Sequence, residues 1–168
     1  MSIGLEAFTI FHVALSLVGI FSGFVVMYGL LTAQRLDCWT ALFLITTVAT
    51  SVTGFMFPVH HFMPSHAVGI LSLLVLAIAI FARYGRHLAG SWRWAYAVTA
   101  MISLYLNVFV LIVQGFLKVP ALNALAPTQT EPPFKVAQGI VLLIFVILTV
   151  FAALRFRPVH QAAVVPSI

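Results

Sequence analysis

From Phe8 to Leu31 the chain carries no charged side chain, and four further apolar runs follow at about 39–57, 65–82, 94–117 and 136–154. About 20 apolar residues in a helix cross about 30 Å of hydrocarbon, a length the third and shortest run approaches. The runs are continuous rather than alternating, which excludes a transmembrane β-barrel. Composition agrees, with 63% hydrophobic residues and only 7% charged. A soluble surface needs roughly 25% charged residues, so lipid must replace water around most of this chain. The expected fold is an all-α integral membrane protein, a single domain over 1–168 built as a compact bundle of five transmembrane helices.

Each run has a stop. Thr32, Ala33, Gln34 and Arg35 end the first, Pro58 the second, and Lys118 and Pro120 the fourth. Ser65, after Pro64, is the expected N-cap of the third. The segment MSIGLEAF carries Glu6 and lacks a basic n-region, so the first run is expected to be retained as a helix. Cys38 is the only cysteine, which excludes an internal disulfide and a thiolate cluster. Beside Asp37 in a short connection, it reads as a surface or interface thiol.

With five crossings, Arg35, Arg83, Arg86, Arg93, Arg155 and Arg157 fall on one side of the membrane. Lys118 and Lys135 fall on the other, with Glu6 and Glu131. This bias predicts an outside N-terminus and a cytoplasmic C-terminus. Trp39, Trp92 and Trp94 then lie at the cytoplasmic interface, where indoles rest between lipid and headgroups. Short arginine-bearing loops suit a multi-pass protein of a bacterial inner membrane. The longest connection, about 119–135, is an outer loop with Pro120, Pro127, Pro132 and Pro133; it is either an ordered cap over the bundle or an ordinary linker.

This topology brings His12, His60, His61 and His66 to the outer face, three of them within Pro58-Val-His-His-Phe-Met-Pro-Ser-His66. Neutral imidazole ligates zinc, copper, iron and haem without help from cysteine. His12, His61 and His66 are therefore the candidate metal ligands. His12 with His66 is the candidate axial pair for a b-type haem. Interfacial or helix-capping histidines, or a proton-linked role, explain the same pattern. Glu131 is the candidate acceptor behind a ligating ring. His87 and His160 lie among the arginines and read as headgroup-facing.

The fourth run places Ser103, Asn107, Gln114 and Lys118 on one helical face. Asn107 and Gln114 are deep enough that lipid exposure would be costly, so this face should look into the bundle or an oligomer interface. Gln138, early in the fifth run, lies at comparable depth. His12, Ser16, Gly19 and Gly23 form a stripe on the first run. Thr47, Thr50, Ser51 and Gly54 do so on the second, and Ser65, Gly69 and Ser72 on the third. Such stripes serve close helix packing, or wall a cavity opening outward, or both.

Three functions compete. The first is a redox or metal-binding membrane protein, with electron transport through a haem or transition metal. His12, His66, Gln114, Lys118 and Gln138 would then hold the cofactor or a ligand such as a quinone or other small hydrophobic molecule. The second is permeation of a small solute through an oligomer, although no charged residue lies at mid-membrane depth. The third is a non-catalytic subunit or assembly factor that recognises another membrane protein. The chain has no HExxH, no GxSxG and no Gly-rich phosphate loop. Its basic residues are too few and too dispersed for nucleic acid.

Overall fold

The computed structural model describes residues 3–58 and 64–156. The order is α1 (Ile3–Leu31), α2 (Asp37–Gly54), α3 (Pro64–Ile80), α4 (Trp92–Lys118), α5 (Pro120–Leu125) and α6 (Pro132–Arg155). A π-helical turn, Phe81–Gly85, extends α3. No strand occurs among the described residues.

Among the described residues, four helices are long and apolar enough to cross a membrane: Gly4–Leu31, Ser65–Gly85, Trp92–Lys118 and Pro132–Arg155. α2 is not among them, because Asp37, its five threonines and Ser51 dilute an otherwise apolar sequence. Thr40, Thr46, Thr47 and Ser51 of α2 are buried, so these hydroxyls point into the bundle. Outward-facing residues are large and apolar, including Ile10, Phe11 and Phe21 on α1 and Leu143, Ile147 and Phe151 on α6. A surface of this kind belongs in lipid.

α4 is the centre of the bundle, packed on α1, α3, α5 and α6. α2 runs antiparallel to α1 over its whole length. Trp39 meets Phe21 at one end with ring centroids 5.9 Å apart, and Phe57, just beyond α2, meets Phe8 at 5.0 Å. Between them, Gly19 and Gly23 let α1 approach its neighbours closely. A Cβ on Gly23 would stand 2.5 Å from Leu104 and 2.9 Å from Phe43. The small-residue stripe on α1 thus does the packing work expected of it.

Several boundaries differ from expectation. α2 begins at Asp37, so Asp37 and Cys38 open a helix rather than occupy a loop. It ends at Gly54, after which Phe55 and Met56 donate to carbonyls three residues back. That tighter turn agrees with the restriction Pro58 places on the residue before it. α3 opens at Pro64, which places Ser65 inside the first turn rather than at the cap. α6 opens on Pro132 and Pro133, and α5 occupies part of the segment expected to be a loop.

The arginine-bearing end carries a feature the charge pattern did not foretell. Arg83, in the π turn, pairs with Asp37 at the start of α2. Its side chain is only 7% exposed against 78% for Asp37, and it lies 5.2 Å from the centroid of the Tyr96 ring. Arg83 is thus an internal cation as well as part of the arginine excess.

Candidate functional site

At the opposite end, α1, α2, α3 and α4 enclose a cavity of about 460 Å³. Its size falls within the range typical of small-molecule sites. α1 contributes Thr9, His12, Val13, Ser16 and Leu17, and α2 with its following turn contributes Thr50, Ser51, Gly54, Phe55 and Phe57. From α3 come Ser65, His66, Val68, Gly69 and Ser72, and from α4 Leu106, Asn107, Val110, Leu111, Gln114 and Lys118. The polar stripes on four helices therefore meet at one cavity.

The inner end is closed. Asn107 donates to Thr47 at 3.2 Å, and Ser51 donates to Ser72 at 3.2 Å. Beyond them lie Phe43, Leu76, Ser103 and Leu104, all almost completely buried. Thr50 Oγ1 is buried at the cavity wall and makes no hydrogen bond within the described residues.

The outer end carries the imidazoles and the cation. His12 Nδ1 lies 2.8 Å from Thr53 Oγ1, and its ring meets Phe57 edge to face at 5.2 Å. His66 stacks on Phe55 with centroids 5.6 Å apart. Gln114 and Lys118 are exposed residues that line the cavity. Among the described residues, no acidic side chain lines it. Gly54 leaves room beside His12, since among the described residues a Cβ there would meet only His12 Cε1, at 3.7 Å.

The candidate residues are thus partly brought together. His12, His66, Gln114 and Lys118 line one cavity, whereas His61 lies outside the described residues. Gln138 does not line the cavity; it is buried between α6 and α4 and donates to the Phe109 carbonyl at 3.2 Å. Among the described residues no group of three His, Cys, Asp or Glu side chains could hold a metal ion.

Glu131 is committed elsewhere. Oε1 accepts from the Thr128 amide and hydroxyl at 3.2 and 2.8 Å, and Oε2 accepts from the Thr130 amide at 3.0 Å. Desolvation pushes this carboxyl up, but the hydrogen bonds from Thr128 and Thr130 outweigh it and hold the group below its usual range. The same connection is pinned to α4 by Gln129, donating to Val113 O at 2.8 Å, and by Asn123, donating to Phe116 O at 3.1 Å. It is an ordered segment tied to the end of α4. The face shared by Ser103, Asn107, Gln114 and Lys118 divides: the first two are buried and the last two reach the cavity mouth.

Sequence reasoning missed Thr53, which holds His12, and Phe55 and Phe57, which contact the two imidazoles. Thr53 stands two residues beyond Ser51, and only the pairing of α1 with α2 reveals its partner.

The fold and this site describe a small helical membrane protein with a cavity closed at its inner end. No family model, curated protein or solved structure matches the chain.

Proposed function

We propose that the chain is a single five-span domain of a cell membrane, consistent with a bacterial inner membrane, that holds a small amphipathic molecule of quinone type in this cavity. α2 supports the fifth span. Its 18 residues reach about 27 Å at the helical rise, and it lies along α1 from end to end. Arg35, Arg83, Arg86, Arg93 and Arg155 lie at helix ends opposite Lys118, which supports an outside N-terminus and cytoplasmic C-terminus. Reporter fusions after Ile168 and within the Thr128–Glu131 segment test this; a C-terminus on the outside overturns it.

The observation that carries the functional reading is the distribution of polarity in the cavity. Thr50, Ser51, Ser72 and Asn107 stand at its inner part, His12, His66, Gln114 and Lys118 at its mouth, and Leu17, Val110 and Leu111 along its walls. A quinone carries oxygens on opposite sides of an apolar ring, and this arrangement offers hydrogen-bonding groups at both. The closed inner end disfavours a path through one chain. A second reading, a haem or a zinc, copper or iron ion, would rest on His12 and His66, which share the cavity. A visible spectrum with metal quantification on chelator-free protein tests that second reading.

The binding test is a titration of the protein in nanodiscs with a short-chain quinone, decylubiquinone, read as thermal stabilisation. A ligand that binds only the folded state must raise the unfolding temperature with concentration. Gly54→Leu should fill the mouth beside His12 and remove the effect. No stabilisation of the wild type, or an equal shift in both proteins, would refute this use of the cavity.

A further inference from the structure

The hydrogen bond behind His12 sets which ring nitrogen carries the proton. Thr53 Oγ1 lies 2.8 Å from Ala49 O and 3.2 Å from Thr50 O, one turn back on α2. Both are carbonyls and can only accept, and the nearer of them offers the single hydroxyl proton a partner on its own helix. What Thr53 Oγ1 then offers His12 Nδ1, 2.8 Å away, is a lone pair. With the hydroxyl proton placed on those carbonyls, Nδ1 is the protonated nitrogen of the neutral ring and Nε2 is left as the acceptor. Phe57 fixes the ring edge to face, and Gly54 leaves the space beside Cε1 open.

We propose that the cavity selects a ligand with a hydroxyl on an aromatic ring, a phenol or quinol, whose O–H donates to His12 Nε2. This rests on the reading of the cavity as a small-molecule site and names the chemistry of its occupant. Lys118 lines the same mouth, where among the described residues no acidic side chain answers its charge. It favours the partial negative charge that a phenolic oxygen develops as it donates. A quinone carbonyl has no proton for Nε2 and must take its hydrogen bonds from Gln114 and Lys118 instead, so the oxidised form still binds but less tightly than the quinol. Thr53 is a positioning residue here, acting on the ligand only through the tautomer of His12.

The test uses a matched, redox-inert pair of probes: 4-hexylphenol and 4-hexylanisole, alike in shape except that the ether has no proton to donate. Both are titrated into nanodisc-embedded protein alongside Gly54→Leu. The wild type should bind the phenol about tenfold more tightly than the ether, the worth of one buried hydrogen bond with its unmet partner. Thr53→Val, which no longer selects the tautomer, should bring that ratio near one, and Thr53→Ser should restore it. Nitrogen-15 spectra of histidine-labelled wild type should show His12 protonated at Nδ1 without any ligand. Equal binding of phenol and ether by the wild type, or a His12 proton on Nε2, overturns the inference while leaving the cavity a binding site. Failure of both probes to bind, with Gly54→Leu indistinguishable from wild type, overturns the inference and the cavity reading together.

Discussion

Gly23 stands where α1 meets both α2 and α4. A methyl group there would come 2.5 Å from Leu104 Cδ1 and 2.9 Å from Phe43 Cε2. Ordinary contact begins at 3.4 Å. Leu104 must therefore give by about 0.9 Å, yet both neighbours are only 1% exposed, inside a core of the kind that packs densely. Overpacking of a filled core costs about 1–3 kcal/mol. Gly→Ala also gains about 1 kcal/mol in helix propensity, which would mask part of that cost. Gly139 in α6 supplies the control, because a Cβ there meets nothing within 4 Å. The difference between Gly23→Ala and Gly139→Ala removes the propensity contribution and should retain the 1–3 kcal/mol of strain, with Gly23→Ala the less stable, within about that range. Unfolding in mixed micelles, followed by far-ultraviolet circular dichroism, measures it. Equal stability of the two variants would refute the close approach of α1, α2 and α4.

Removing the charge of Asp37 by Asp37→Asn leaves the Arg83 guanidinium largely buried without its counter-charge. Because Asp37 itself is mostly exposed, the expected loss is about 1–2 kcal/mol rather than that of a fully buried pair, read by the same unfolding assay. No loss at all would show that the Tyr96 ring and water suffice for the cation. The Glu131 carboxyl, held below its usual range, should order the segment before α6 above its unfolded pKa and release it as pH falls through the lower folded value. Amide exchange at Thr128 and Thr130 should therefore quicken on acidification in the wild type, after correction for intrinsic rates, and lose that pH dependence in Glu131→Gln. A wild-type response unchanged by the substitution would mean another group controls the segment.

Much of the architecture was legible because hydrocarbon imposes one simple demand, and runs such as Trp94–Leu117 and Val136–Leu154 meet it openly. α2 was the hard case. Its threonines lower the average hydropathy but face inward, and only packing tells an inward hydroxyl from one exposed to lipid. The cavity was half visible. His12, Ser16, Thr50, Gly69 and Gln114 belong to helical stripes that periodicity can find, and all of them line it. Periodicity cannot say which stripes face each other, and comparable depth alone pairs Gln138 with Gln114. In the fold it serves the α4–α6 contact instead. Glu131 misled for a different reason: its partners are its own sequence neighbours, Thr128 and Thr130, and a local turn used the carboxylate before any distant histidine could.

The π turn at Phe81–Gly85 acts as a phase shifter. Its amide–carbonyl bond from Arg86 to Phe81 spans five residues instead of four, so the turn accommodates one more residue than an α-helical turn. Deleting one residue there would let the helix close as a regular α turn with its downstream azimuth nearly kept, whereas a deletion in the regular turns of α3 would rotate everything downstream by about 100°. The error would then appear at a distance: His87 and Leu88, both with positive φ, would deliver the chain into α4 with the wrong azimuth. A one-residue deletion should accordingly be tolerated far better in this turn than in the regular turns of α3 that precede it.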